Sequence, residues 1–294
     1  MTTVAEERAD KARWGFQEGD PMAPGLHAVR HLGGGHRYEA YLAFDERRRY
    51  LVVTKILRPD QVHDPSALRG LRREARILEA LDHPVIARLF EADLTGDRPH
   101  LRLEFVEGPR LSTLLRRFGP LAIDQAVPLA VELGAALHYL HGEGFVHLDV
   151  KPSNTIMGAP PRMIDMSVAR SVSRATATDH AVGTDAYMAP EQAAPDRGLG
   201  PMGPPSDVWG LGITLFEAVT GRLPFPDRDE DPFPQLTLEP GDLPEDVPAP
   251  LAEVIRASLS FDAAQRPTPD EICTAVEPLL SRPRRTVLSR LKPR

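Results

Sequence analysis

The stretch Phe145-Val146-His147-Leu148-Asp149-Val150-Lys151-Pro152-Ser153-Asn154-Thr155-Ile156-Met157 constrains this chain more than any other. An acid, a lysine two residues later and an asparagine three beyond it lie between two apolar runs, so a short polar loop is held open by flanking strands. That spacing suits transfer of a phosphoryl group. Asp149 can accept the proton of an incoming hydroxyl, Lys151 can lie against the transferring group, and Asn154 can hold a metal ion that neutralises phosphate charge. Taken alone, the pattern also fits phosphoryl transfer to a small molecule or a chance polar loop. The remainder of the chain has to decide.

With 294 residues, 41% of them hydrophobic, the chain can bury a substantial core in one large or two modest domains. No run of about eighteen uncharged apolar residues is present, and Met1 to Asp10 is acidic and polar, so the expectation is a cytoplasmic chain without an export leader. A single cysteine, Cys273, excludes an internal disulfide framework and is expected as a small buried hydrophobe. The net charge of −7 is unevenly spread, because Arg282, Arg284, Arg285, Arg290, Lys292 and Arg294 place six positive charges at the end and leave the rest at −13. An acidic body argues against nucleic acid as a partner, since neutralising phosphates takes a basic face. The basic tail is read first as a solvated end, with an anionic membrane or an acidic partner as the alternative.

Along the chain, Trp14 and Phe16 are expected to tuck onto the body. From Gly25 to Phe44, two strand-like runs flank Gly33, Gly34 and Gly35, as in a hairpin whose glycines let backbone amides approach phosphates. Lys55 then lies inside the β-branched run Tyr50–Leu57 and needs a counter-charge, because an unpaired buried ammonium is expensive. A helix opened by Asp64 and Pro65 carries its apolar stripe on Leu68, Leu71, Ala75 and Leu78, and Glu74 beside that stripe supplies the partner. Strands are expected around Ile86–Phe90 and His100–Val106, after which Glu107-Gly108-Pro109 breaks the pattern and helices dominate. Asp124 is expected to cap a long helix through Val127, Val131, Leu137 and Leu140, and Arg162–Ser167 reads as a strand ending in the acid Asp165.

These stretches, in this order, resemble protein kinases of the Hanks type, bacterial serine/threonine branch, over roughly Gly25 to Leu280. Gly183-Thr184 and Ala189-Pro190-Glu191 are similar to the end of the family's activation segment, Ser206-Asp207-Val208-Trp209-Gly210 to the helix under its catalytic loop, and Arg266 to the partner of its Ala-Pro-Glu glutamate. The resemblance implies an α+β, two-lobed fold, with a small antiparallel β-sheet and helix C in the N-lobe and a mainly helical C-lobe. It divides the chain into an extension (1–24), N-lobe (25–105), C-lobe (106–281) and basic tail (282–294).

The implied activity is transfer of the ATP γ-phosphoryl group, with Mg²⁺ or Mn²⁺, to Ser/Thr hydroxyls of proteins. By that resemblance Asp149 and Lys151 are catalytic, and Asn154 and Asp165 bind metal. Leu32, Gly33, Gly34, Gly35, Ala40, Lys55, Glu74 and Ile156 serve the nucleotide, with the Glu104 carbonyl and Val106 amide on the base behind Leu103. The family also admits dimers of kinase domains. The chain departs from the pattern at Tyr38 (for Gly), Ala40 (for Val), Leu148 (for Arg), Met166 (for Phe) and Ser167 (for Gly). Four of them, Tyr38, Leu148, Met166 and Ser167, make a pseudokinase, a nucleotide-binding or scaffold module, the alternative. Small-molecule kinases lack the Ala-Pro-Glu element and rank third. Against the alternative stand Lys55, Glu74, Asp149, Lys151, Asn154 and Asp165, all present.

Overall fold

The computed structural model describes residues 12–226 and 232–280. Its N-terminal part is a six-stranded antiparallel sheet in the order β1-β2-β3-β4-β6-β5. Strand β1 (Pro21–Ala23) forms one edge and lies within the segment read as an extension. Strands β2 (Leu26–Gly34) and β3 (Tyr38–Asp45) form the glycine-rich hairpin, with Gly34 opposite Glu39 and the turn closed by the Gly35 amide on the Tyr38 carbonyl at 3.0 Å. A Cβ at Gly34 would stand 2.4 Å from that carbonyl, so the hairpin closes only with glycine there. Strand β4 (Tyr50–Leu57) sets Lys55 opposite Ala40.

Helix α1 (Pro65–Ala80) starts as expected, the Asp64 carboxylate accepting from the Ala67 amide at 2.6 Å with Pro65 in the first turn. Its stripe of Leu71, Ala75 and Leu78 is buried, and so is Glu74. Strands β5 (Leu89–Asp93) and β6 (His100–Glu104) complete the sheet. The first of these begins later than the apolar run Ile86–Phe90 suggests, because the backbone there is taken by Met163: its amide donates to Val85 O at 2.6 Å, and its carbonyl accepts from the Ala87 amide at 3.0 Å.

The remainder is mainly helical. Helix α2 (Leu111–Phe118) precedes α3 (Ile123–Gly142), whose N-cap is Ala122. The expected Asp124 cap is therefore corrected. Asp124 sits in the first turn, where its charge meets the positive helix end, and Pro128 lies beyond that turn and removes one bond from the helical ladder. Short ladders follow, β7 (Phe145–Val146) with β10 (Arg170–Ser171), and β8 (Thr155–Ile156) with β9 (Arg162–Met163). The expected strand over Arg162–Ser167 is thus reduced to its first two residues, since Asp165 turns out of extended backbone. Helices α4 (Val172–Thr176), α5 (Pro190–Ala193), α6 (Pro204–Thr220), α7 (Ala249–Ser258) and α8 (Pro269–Val276) complete the fold.

Helix α6 is apolar on nearly every side, which only a central helix tolerates, and α3 and α7 pack against it. Cys273 is buried against α3, and burial pushes its thiol up to about 11. No described helix is long and apolar enough to cross a membrane. The basic tail lies outside the described residues.

Candidate active site

The polar loop hangs between the two short ladders, and a second carboxylate fixes its backbone. Asp207, in the first turn of α6, accepts the amides of His147 at 2.8 Å and Leu148 at 2.6 Å, while Gln192 Nε2 donates to the Leu148 carbonyl at 3.0 Å. Leu148 has φ 61, a left-handed conformation that costs a side-chain-bearing residue about 1–2 kcal/mol. Three hydrogen bonds on three successive peptide groups, two of them to a charged group, offset that strain. Asp149 is thereby presented to the cleft.

Around Asp149 the expected partners converge. Its carboxylate lies 2.7 Å from Lys151 Nζ, accepts from Thr184 Oγ1 at 2.7 Å and accepts from Asn154 Nδ2 at 3.0 Å. Lys151 also donates to Thr184 Oγ1, so acid, lysine and threonine form a closed triangle. With its amide nitrogen engaged on Asp149, Asn154 keeps its amide oxygen as the donor for a cation.

The second group lies across the cleft. Lys55 Nζ contacts both Glu74 carboxylate oxygens at 2.8 Å and Asp165 Oδ1 at 2.7 Å. Burial alone would discharge the ammonium, but the two carboxylates raise Lys55 above the ordinary lysine range. Burial also opposes the charge of Asp165, yet Lys55 and the Ser167 amide hold its carboxyl well below the usual range. Glu74, sealed inside the protein, is pushed upward mainly by desolvation. The positive φ in this turn falls on Asp165 (φ 68), so Ser167 takes the place of Gly without left-handed strain.

The residues read from sequence as serving the nucleotide lie on the hairpin, on β4 and α1, at the end of β6 and in β8. Gly33, Gly34 and Gly35 form the hairpin end, Leu32 sits at its bulge, and Ala40 pairs with both Gly33 and Lys55. Glu104 ends β6, its side chain engaged by Arg162 at 3.5 Å and by the Arg88 amide, while its own amide donates to the Arg88 carbonyl at 2.8 Å. The Val106 amide has no hydrogen-bond partner among the described residues. Ile156 lies beside Gly108, whose missing side chain makes that approach possible.

Asp165 and the Asn154 oxygen are hard oxygen donors, and the described residues contain no group of three or more His, Cys, Asp or Glu that could hold a metal ion. Two protein oxygens fit Mg²⁺, which usually completes its shell from water and substrate phosphates. Sequence reasoning missed Tyr38 as a structural partner. Its ring lies 4.8 Å from Lys55 Nζ and its hydroxyl meets α1 at the Ala67 carbonyl. A Cβ at Gly70 would stand 2.9 Å from that hydroxyl, so the mid-helix glycine is the signal that something bulky arrives there.

A family model described as protein kinase domain matches residues 26–276. Serine/threonine-protein kinase PknB of Mycobacterium leprae is 36% identical over 203 residues, covering 66% of this chain and 32% of that protein. Probable serine/threonine-protein kinase PkwA of Thermomonospora curvata is 34% identical over 262 residues, or 87% and 34% of the two chains. The chain therefore spans about a third of the length of these relatives. Since the match runs from the glycine-rich hairpin to the last helix of the helical part, the chain belongs to the protein kinase domain family.

Proposed function

We propose that this chain is an active serine/threonine protein kinase domain of bacterial signalling, acting in the cytoplasm, and that its substrates are ATP and protein hydroxyls. The observation that carries the reading is a pair of charged groups, Asp149–Lys151–Thr184–Asn154 and Lys55–Glu74–Asp165, whose segments are tied together where the Ile164 amide donates to the Asn154 carbonyl at 2.8 Å. In the proposed step a Ser or Thr oxygen attacks the γ-phosphorus, the O–P bond to ADP breaks, and Asp149 takes the hydroxyl proton. Lys151 lies against the transferring group and balances its charge, while Lys55 holds the α- and β-phosphates and is itself kept charged and in place by Glu74. Asp165 and Asn154 would hold Mg²⁺, which draws charge off the phosphate oxygens when bound.

Thr184 supports the choice of hydroxyl. Its Oγ1 donates to Asp149, so a protein Ser or Thr hydroxyl approaching Asp149 arrives beside it. A pseudokinase needs no such set, and none of the four departures near the chemistry disrupts it: Tyr38 braces Lys55, Leu148 is held by Asp207, Met166 is buried, and Ser167 donates its amide to Asp165. The basic tail is offered as a contact for an anionic membrane or an acidic partner, and pairing of two kinase domains is measured by light scattering. The decisive experiment is incubation with labelled ATP, Mg²⁺ or Mn²⁺ and generic protein substrates beside an Asp149→Asn control. Label on Ser and Thr that vanishes in the control supports the reading, and equal labelling by both proteins sinks it.

A further inference from the structure

Arg58 follows the last residue of β4 and is 5% exposed, yet no carboxylate lies within ion-pair distance of it among the described residues. A buried guanidinium must be satisfied by other acceptors. Here they are carbonyls of two separate segments. Nε donates to Gly35 O in the glycine-rich turn at 2.9 Å, and Nη1 donates to Ala12 O at 3.3 Å. The Arg58 amide adds a third tie, to the Arg37 carbonyl of the same turn at 3.0 Å.

The segment carrying Ala12 is itself fastened to the sheet. Trp14 Nε1 donates to the Leu57 carbonyl at 2.7 Å, and the Trp14 amide donates to the buried Glu39 carboxylate at 2.9 Å. Glu39 lies opposite Gly34 in the hairpin and opposite Ile56 in β4. Trp14 stacks on Phe16 at 5.7 Å, and the Arg98 guanidinium lies within about 5 Å of both rings. Residues 12–16 also fall outside the stretch that the kinase family model matches, which begins at 26.

We infer that Ala12–Phe16 and Arg58 form a strut that sets the glycine-rich turn in its phosphate-binding position. The inference rests on the kinase reading above. A turn with three successive glycines loses more freedom on ordering than any other sequence, so holding it in advance removes part of the cost of binding nucleotide. The contact also orients a donor. The Gly35 carbonyl and the His36 N–H belong to one planar trans peptide, so fixing the carbonyl on Arg58 turns the N–H the opposite way. That amide has no hydrogen-bond partner among the described residues and is a donor for a phosphate. Trp14 and Arg58 touch no reacting group in this scheme and act through the turn, as positioning residues.

The test is steady-state kinetics on the full chain with varied ATP, beside the dissociation constant for Mg·ADP, in Trp14→Ala, Arg58→Met and the double variant. The expected result is a five- to tenfold rise in the KM for ATP and in the Mg·ADP constant, with kcat within twofold of wild type. The double variant should resemble the worse single one, because both changes break the same strut. Trp14 is only half-buried, so Trp14→Ala decides the matter even if Arg58→Met folds poorly. Unchanged KM and Mg·ADP affinity in Trp14→Ala, or a fall in kcat alone, would overturn the strut. Failure of the wild type to bind Mg·ADP and turn over ATP would instead overturn the kinase reading, and the strut with it.

Discussion

The segment from Asp165 to Glu191 is anchored at each end by an ion pair of nearly the same length, and the two anchors differ in every other respect. At the far end, Arg266 Nη1 and Nη2 meet the two Glu191 oxygens at 2.7 and 2.9 Å. Both side chains are sealed from solvent, Ser206 donates to Glu191, and Arg266 gives further protons to the carbonyls of Ser260, Pro205 and Phe261. One cation meets one anion there. At the near end, a single ammonium serves two carboxylates, and the side chain of Asp165 is 39% exposed. Distance alone would rank the two pairs as equals. Net negative charge that reaches solvent sets the near end apart from the far end, a sealed and balanced brace.

The largest effect is expected from breaking the brace. Arg266→Met leaves the Glu191 carboxylate buried without its partner, and such one-sided removal costs about 3–5 kcal/mol. Denaturant unfolding measures it, and a loss below about 1 kcal/mol would show that the far anchor carries no structural weight. Asp165→Asn should behave in the opposite way. Its kcat falls about 10²–10³-fold, some 2.7–4 kcal/mol in the barrier, on the scale of a lost charge-stabilising group, while the midpoint of unfolding stays near wild type. Activity and stability that fall together in this variant would erase the distinction between the two ends.

Thr184 lies between the anchors and tests how far the chemistry extends along the segment. Thr184→Ala removes a hydroxyl bonded to both Asp149 and Lys151. Hydrogen bonds to charged groups are worth about 1.5–3 kcal/mol, so kcat/KM for protein substrate should drop about 10- to 150-fold. The KM for ATP should hold, because Thr184 touches neither the glycine-rich turn nor Lys55, and Lys151 keeps its own pair with Asp149. A change confined to ATP would move Thr184 out of the hydroxyl site.

The local parts of this arrangement were legible because each carried its own physical demand. Lys55 inside a β-branched strand required an acid, and Glu74 on the next amphipathic helix met it at 2.8 Å. Asp64-Pro65 opened that helix as such a pair should. Where partners come from far along the chain, local pattern failed. The run Ile86–Phe90 has strand composition, but Met163 takes its first residues. Asp124 is a good capping residue by type, yet the backbone enters α3 earlier, at Ala122. Tyr38 stands in the sequence only as a departure from the glycine pattern, and the fold shows that it fits because Gly70 lacks a side chain. Arg58 gave no signal, since its acceptors are main-chain carbonyls that no side-chain pattern records.

The smallest effect is expected between the anchors, at Thr176 and Thr178, and the reason lies in Leu148 on the neighbouring loop. In relatives with Arg at this position, a phosphate on the activation segment is held by that guanidinium and orders the segment. Here Leu148 is 3% exposed and packs with Val146, Ala175, Val182 and Met202, so the catalytic loop and the segment are joined by apolar burial instead. The segment carries its own polar tie as well. Arg170 Nη1 donates to the unmodified Thr178 hydroxyl at 2.7 Å, and Thr176 donates to the Val172 carbonyl at 2.9 Å. Arg73, from helix α1, reaches across to the Ser167 carbonyl at 2.6 Å. Order in this segment thus needs no added charge. Phosphatase-treated wild type and the Thr176→Ala, Thr178→Ala double variant should keep initial rates within tenfold of untreated enzyme, under about 1.4 kcal/mol in the barrier. A larger fall in either would show that the apolar cluster does not replace the missing arginine, and that Arg170, with Arg73 and Arg174 near it, holds a phosphate the active state requires.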